Sequence, residues 1–263
     1  MKILPKKSLG QNFLIDNEIL NKIADLGRVG SNDIVLEVGP GTGNLTEKIL
    51  KKKPKKLIVV EKDKNLSIIL KKKFNNEAEI INDNILNYNH DIYYNKKIII
   101  FGNLPYNIST QILTSWIKIK NLKNFCKRFV LMFQKEVADR ILADSNSKNY
   151  GRLSIISSWK MDIEKITDIN PSSFFPSPKI KSSLLVFKPK NNYYELNNPK
   201  NLEHVTNIFF NQRRKMIKKP LKFLFKNYEK VAEELSLDLN LRPQNLTNLT
   251  YYKICSYYEQ LLK

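Results

Sequence analysis

The chain has 263 residues, 42% of them hydrophobic, enough for one large domain or a medium domain plus a small one. No apolar run approaches bilayer length, and the opening MKILPKKSLGQNFLID lacks the apolar stretch of a signal peptide, so a membrane partner is not expected and a cytoplasmic location is. The net charge of +20 admits a polyanionic partner, although only seven of the 45 basic residues are Arg and the abundance of Asn and Ile points to AT-rich codon drift as part of the cause.

In chain order, Asp16 can cap a helix whose apolar stripe is Ile19, Leu20, Ile23 and Ala24. Ile34 to Val38 reads as a buried strand, and Gly39 to Gly43 as a tight turn into a helix. Leu57 to Val60 is a second strand ending at Glu61; a Lys-rich helix follows, then a short strand from Glu79 to Asn82 ending at Asp83. Ile98 to Phe101 and Arg128 to Phe133 are further apolar strands, and Ser182 to Phe187 reads as the last strand of the sheet. Strands separated by helical segments of this length imply parallel βαβ units in an α/β, doubly wound sheet. The stretch KPKNNYYELNNP from Lys188 to Pro199 reads as a polar linker, and the remainder as a small α-helical domain. The division expected is therefore 1–188 and 189–263.

Cys126, Cys255, His90 and His204 stand isolated in sequence with no CxxC pair, so neither a disulfide framework nor a metal centre is expected. Glu37-Val38-Gly39-Pro40-Gly41-Thr42-Gly43 closes a strand and opens a helix, where glycines permit close approach of a ligand to the backbone. Asn44 breaks the dehydrogenase spacing GxGxxG, and the turn itself carries no basic residue, which suits a cofactor without phosphates. Glu61 can accept from both ribose hydroxyls of an adenosine cofactor, and Asp83 from the adenine amino group. The plain alternative is a structural turn.

Gly102-Asn103-Leu104-Pro105-Tyr106 follows the fourth strand at the carboxyl edge. It is either a strand-ending turn or a site that grips an amine: the Asn103 side-chain carbonyl and the carbonyl of Leu104, held extended by Pro105, can accept both hydrogens of an exocyclic –NH2, and Tyr106 offers a flat face to a base. Two acceptors around that nitrogen favour a tetrahedral amine with its lone pair available, and no strong general base is needed because the proton becomes acidic on alkylation. PSSFFPSP is a proline-pinned loop that presents aromatics, read as a stacking platform or as a hairpin loop with a core Phe. In FNQRRKMIKK, the cations Arg213, Arg214, Lys215, Lys218 and Lys219, continued by Lys222 and Lys226 along an expected helix, form either a solvated face or a phosphate-contacting one.

These strings together resemble the ribosomal RNA adenine dimethyltransferase family. SLGQNFL at Ser8 to Leu14, EVGPGTG, NLPYNIST from Asn103 to Thr110, QKEV from Gln134 to Val137, YGRLS from Tyr150 to Ser154 and FFPSPK from Phe174 to Lys179 carry the resemblance, which runs from near residue 6 to at least 217. It implies a Rossmann-like class I methyltransferase sheet with S-adenosylmethionine as cofactor and S-adenosylhomocysteine as product. It further implies cofactor contacts from Asn12, Leu14, Gly39, Glu61, Asp83 and Asn103, and a target adenine held by Asn103, Leu104, Pro105 and Tyr106 and stacked between Tyr106 and Phe174. Ile180 stands where the family pattern has Val, and Ser182 where it has Ser.

FNQRRK and YGRLS favour the branch that dimethylates two adjacent adenines in the 3′-terminal hairpin of 16S rRNA during small-subunit maturation, over the Erm-type branch that acts on large-subunit rRNA. A non-catalytic assembly factor would not need an intact Asn103–Tyr106 loop, and a DNA amine methyltransferase would need a target-recognition domain for which there is no room. The partner implied is 16S rRNA within the small subunit; Lys6 and Lys7 are placed to reach it, and a monomer is expected because no sustained helical seam is present.

Overall fold

A computed structural model describes residues 5–6, 10–89 and 95–262; His90 and Lys7 lie outside them. The chain divides into two compact units, Met1–Ala138 with Asp162–Pro189, and Asp139–Met161 with Lys190–Lys263. The second boundary falls within two residues of the one read from sequence. The segment Asp139–Met161 departs from that reading, because it folds with the helices.

The first unit is built on a sheet that is seven-stranded among the described residues: β2 (Ile34–Val38), β3 (Lys56–Glu61), β4 (Glu79–Asn82), β5 (Ile98–Asn103), β6 (Cys126–Gln134), β7 (Met161–Ile169) and β9 (Ser182–Pro189), in the order β4-β3-β2-β5-β6-β9-β7. A two-stranded ribbon pairs β1 (Phe13–Leu14) with β8 (Phe174–Phe175). Strands β2 to β6 pair in parallel, as their near-continuous apolar sequences demand for strands covered on both faces. β9 runs antiparallel to β6 and lies inside the sheet, so the last strand in sequence is not its edge.

The connecting helices are α1 (Asn17–Leu26), α2 (Asn44–Leu50), α3 (Lys64–Phe74), α4 (Ser109–Ile117), α5 (Leu122–Phe125) and α6 (Lys135–Ile141). Asp16 caps α1 by accepting from the Glu18 and Ile19 amides at 3.0 and 3.2 Å, and Leu20, Ile23 and Ala24 form its buried face. That face joins Val35, Val59, Ile99, Phe101 and Val130 of the strands in one core, each fully buried aliphatic side chain contributing about 1.5–3 kcal/mol.

The second unit contains α7 (Arg152–Lys160), α8 (Pro199–Phe210), α9 (Lys218–Leu224), α10 (Tyr228–Glu234) and α11 (Asn248–Leu261). Its buried tyrosines are tied by their hydroxyls: Tyr150 donates to Asn248 Oδ1 (2.7 Å), Tyr251 to the Pro243 carbonyl (2.7 Å) and Tyr252 to the Ile155 carbonyl (2.9 Å). The polar stretch read as a linker is docked here. Trp159 Nε1 donates to the Tyr194 carbonyl at 2.7 Å, and the Glu259 carboxylate accepts from the Asn197 and Asn198 amides at 2.7 and 2.8 Å.

Candidate active site

The strand order places the site. From β2 the chain moves outward through β3 to β4, then returns to β5 on the opposite side of β2, leaving a crevice at the carboxyl ends where it reverses direction. Val38 pairs with Val60 on one side and Gly102 on the other, so the glycine turn after β2, the carboxylate ending β3 and the loop after β5 converge. The resulting cleft encloses about 1000 Å³, part of it open to solvent, and is lined among others by Asn12, Leu14, Gly39, Glu61, Asn103, Leu104, Pro105 and Tyr106.

Its backbone leaves no room for side chains. Gly39 has φ +68°, and a Cβ there would stand 3.2 Å from the Asn103 carbonyl oxygen; Gly41 has φ +59°, and a Cβ would meet the Phe13 ring at 2.6 Å.

Asn103 Nδ2 donates to the Asn12 carbonyl at 2.9 Å. This fixes the amide with Oδ1 pointing away from that contact as an acceptor, and fastens the N-terminal segment to the loop after β5. The loop's own turn closes through the Pro105 carbonyl, which accepts from the Ile108 amide, and the Tyr106 carbonyl, which accepts from Ser109 Oγ, both at 3.1 Å. The Leu104 carbonyl is not consumed by either bond. The Tyr106 hydroxyl lies 2.6 Å from Ser182 Oγ, and burial, only partly offset by that contact, raises its pKa.

Two buried carboxylates face the cleft. Glu37 Oε2 accepts from Thr46 Oγ1 at 2.7 Å, while Oε1 is a buried oxygen without a hydrogen-bond partner. Burial pushes the Glu37 pKa up to about 8, against the opposing Thr46 bond and with a further contribution from Glu61. Glu61 Oε1 accepts from the Asp63 amide at 2.7 Å, and burial raises its pKa too. Asp63 in turn caps α3 through Asn65 and Leu66, pairs with Lys6 at 2.9 Å and accepts from Gln11 Nε2 at 3.2 Å. Glu37 and Gln11 were not singled out from sequence. Glu37 heads the recognised glycine motif, and its placement inside a strand read as buried was the available signal.

Four expectations change. Asp83 stands at the same sheet edge, its amide donating to the Glu61 carbonyl at 3.2 Å, but its carboxylate accepts from the Asn84 amide at 2.6 Å and does not line the cleft. Phe174 is 3% exposed and packs in the core with Leu14 and Ile169, whereas Phe175 is 57% exposed. The ribbon register explains this: Leu14 faces Phe174 and Phe13 faces Phe175, and directly opposed residues share a face. Lys6 is engaged by Asp63 and not left for a distant substrate. Finally, the basic run is not one helix, since α9 begins only at Lys218 and Arg213 and Arg214 lie in a turn before it. Within it Arg213 is spent internally, on Gln244 Oε1 at 3.2 Å and the Lys148 carbonyl, while Arg214, Lys215, Lys218 and Lys219 are exposed.

Residues 4–261 match the family described as ribosomal RNA adenine dimethylase. The chain belongs to that family. It is 57% identical over 261 residues to ribosomal RNA small subunit methyltransferase A of Pelagibacter ubique, covering 99% of both chains. A solved dimethyladenosine transferase from Plasmodium falciparum superposes with a TM-score of 0.79 at 27% identity, over 94% of this chain and 98% of the other. The 23S rRNA methyltransferase ErmE has a TM-score of 0.69 at 19% identity, over 96% and 100%, a likeness of fold. The ribosomal RNA adenine dimethylase reading accounts for the class I methyltransferase sheet, and the chain is an S-adenosylmethionine-dependent enzyme of ribosomal RNA.

The residues present fit that cofactor. A sulfonium and an ammonium suit a cleft walled by two buried carboxylates, one with an unpartnered oxygen, and the glycine turn leaves backbone open where a Cβ would collide. Among the described residues no cluster of three metal-ligating side chains occurs, and no helix is long and apolar enough to cross a membrane.

Proposed function

We propose that this enzyme dimethylates N6 of two adjacent adenines in the 3′-terminal hairpin of 16S rRNA, within the small ribosomal subunit during its maturation. The observation that supports the catalytic part is the Asn103–Asn12 bond, which engages the Asn103 amide nitrogen and leaves Oδ1 as an acceptor on a residue that lines the cleft with Leu104. The kinship to a small-subunit methyltransferase carries the choice of RNA.

In this reading Asn12, Leu14, Gly39, Glu61 and Asn103 hold S-adenosylmethionine, Glu61 accepting from the ribose hydroxyls. The cofactor supplies an electrophilic methyl group on sulfur. Asn103 Oδ1 and the Leu104 carbonyl accept the two amine hydrogens of adenine and turn the nitrogen lone pair toward the cleft, Pro105 keeps Leu104 extended, and Tyr106 supports the ring. The apolar walls exclude water; the proton released after alkylation leaves through solvent, since no imidazole lines the cleft. Arg214, Lys215, Lys218 and Lys219 hold the RNA backbone and set register, while the cleft selects an unstacked adenine. The chain acts as a monomer in the cytoplasm.

The test is transfer of labelled methyl from S-adenosylmethionine to unmodified small-subunit particles and, in parallel, to unmodified large-subunit RNA, for the natural chain and Asn103→Ala. Dimethyladenosine confined to the small-subunit RNA and at least about 100-fold slower in the variant is expected. Label in the large-subunit RNA overturns the choice of RNA, and an unimpaired variant overturns the assigned loop.

A further inference from the structure

The second unit contains a cavity of its own. It encloses about 450 Å³, open to solvent, and is lined by Arg140, Arg152 and Arg213 together with Tyr150, Gly151 and Phe210 and their neighbours, with no acidic side chain among them. Three arginines on the wall of one concavity, with no acidic side chain among its lining residues, give it a positive potential that favours an anion.

The three arginines are not equivalent. Arg213 is part of the wall, fastened to Gln244 and to the carbonyls of Ser147 and Lys148. Arg140 and Arg152 are exposed, and no ion pair is formed by either among the described residues. The remaining donors are backbone. Gly151 is the residue before α7 and has no side chain with which to cap it; its own amide is satisfied by Ser154 Oγ at 3.1 Å, and the first intrahelical bond runs from the Ile155 amide to the Gly151 carbonyl. The amides of Arg152 and Leu153, in the first turn of α7, have no intrahelical acceptor and stand at the positive end of the helix. The Phe210 ring, held edge-on by Tyr150 at 6.1 Å, forms an apolar wall. A phosphodiester offers this site a single negative charge and several acceptor oxygens, and an attached base offers the Phe210 ring a flat face.

We propose that the cavity seats one backbone phosphate of the ribosomal RNA substrate, with Arg140 and Arg152 as its charged ligands and Arg213 as the positioning residue that shapes it. This rests on the reading of the chain as an enzyme of ribosomal RNA and adds a phosphate site apart from the exposed run Arg214 to Lys219.

The test measures binding of the full chain to unmodified small-subunit particles at a series of salt concentrations, comparing Arg140→Gln, Arg152→Gln and the double variant with the natural sequence. One lost phosphate contact should lower the slope of log affinity against log salt by about 0.7–0.9 and weaken binding about tenfold at moderate salt, while S-adenosylmethionine binding, read separately, stays unchanged and shows the variants folded. A slope that does not move in the double variant overturns the proposal and leaves the catalytic reading intact. A parallel titration with inorganic phosphate identifies the source of the anion: tight binding that needs Arg140 and Arg152, joined to an unaltered RNA slope, would make this a site for a free anion and overturn the RNA assignment.

Discussion

The hydroxyl of Tyr106, in the loop after β5, and that of Ser182, at the first position of β9, meet at 2.6 Å. Ser182 is fully buried and pairs with Gln134 at the end of β6, so the contact anchors the aromatic of the loop after β5 to two inner strands of the sheet. Removing it leaves a ring with the same shape and less fixed orientation. Ser182→Ala is expected to slow methyl transfer about five- to tenfold, the equivalent of a net hydrogen bond of ~1 kcal/mol, with S-adenosylmethionine affinity unchanged. Tyr106→Phe should produce a similar loss, and the double variant no more than either alone; additive losses in single-turnover rates would show that the two residues act separately.

Glu37 gives the chain a pH signature. Below about 4.5 both folded and unfolded chains hold its proton; between 4.5 and about 8 the folded chain keeps a proton that the unfolded chain has released. The stability that protonated Glu37 contributes is thus complete below the unfolded pKa and lost as pH rises through the folded one. Urea melts of the natural chain and Glu37→Gln across that window should show a difference in stability that changes steadily with pH in favour of the variant, and a constant difference would refute the raised pKa. Because a cationic ligand favours the ionised form, its binding below about pH 8 should also release a proton, visible as a buffer-dependent heat that Glu37→Gln abolishes.

Gly41 is the tightest point of the cofactor turn. A methyl group there would stand 2.6 Å from the Phe13 ring, in a left-handed backbone conformation costly to alanine. Gly41→Ala is expected to weaken S-adenosylmethionine binding more than tenfold in equilibrium dialysis while the sheet still melts cooperatively. Retained affinity would mean that Phe13 yields and that the cleft is softer than the contact implies.

The adjacent phenylalanines separate packing from presentation. Phe174→Ala removes a core ring and should cost about 3–5 kcal/mol in denaturant unfolding, whereas Phe175→Ala should stay within about 0.5 kcal/mol. Comparable losses would contradict the ribbon register that turns one ring inward and the other outward.

The parallel strands were legible because Ile34–Val38, Lys56–Glu61 and Ile98–Asn103 are apolar enough to be recognised without partners, and glycine spacing located the turn between β2 and α2. β7 escaped because MDIEKITDI, at the sheet edge, is largely solvent-facing and carries four charges in nine residues, a pattern that does not distinguish edge strand from loop. The choice between Phe174 and Phe175 depends on register against Phe13–Leu14, a pairing across 160 residues of chain that no local pattern encodes. The same holds for Arg213, whose partners Ser147, Lys148 and Gln244 are all distant in sequence. Asn103, Leu104 and Tyr106 were legible as cleft-lining neighbours for the opposite reason: they stand in one loop, so their sequence is also their placement.

The threading of Asp139–Met161 into the helical unit bears on how such an enzyme can be taken apart or recombined. The polar segment before α8 looks like a natural seam for exchanging modules between relatives. A cut there would sever Tyr150 from Asn248, Trp159 from Tyr194 and Ile155 from Tyr252, stranding an apolar helix on the excised catalytic fragment. Chimeras that swap only the carboxyl-terminal piece should therefore aggregate, whereas those that carry Asp139–Met161 along with it preserve every one of these pairs. The graftable cassette is discontinuous: it takes two separate stretches of sequence to move this unit whole.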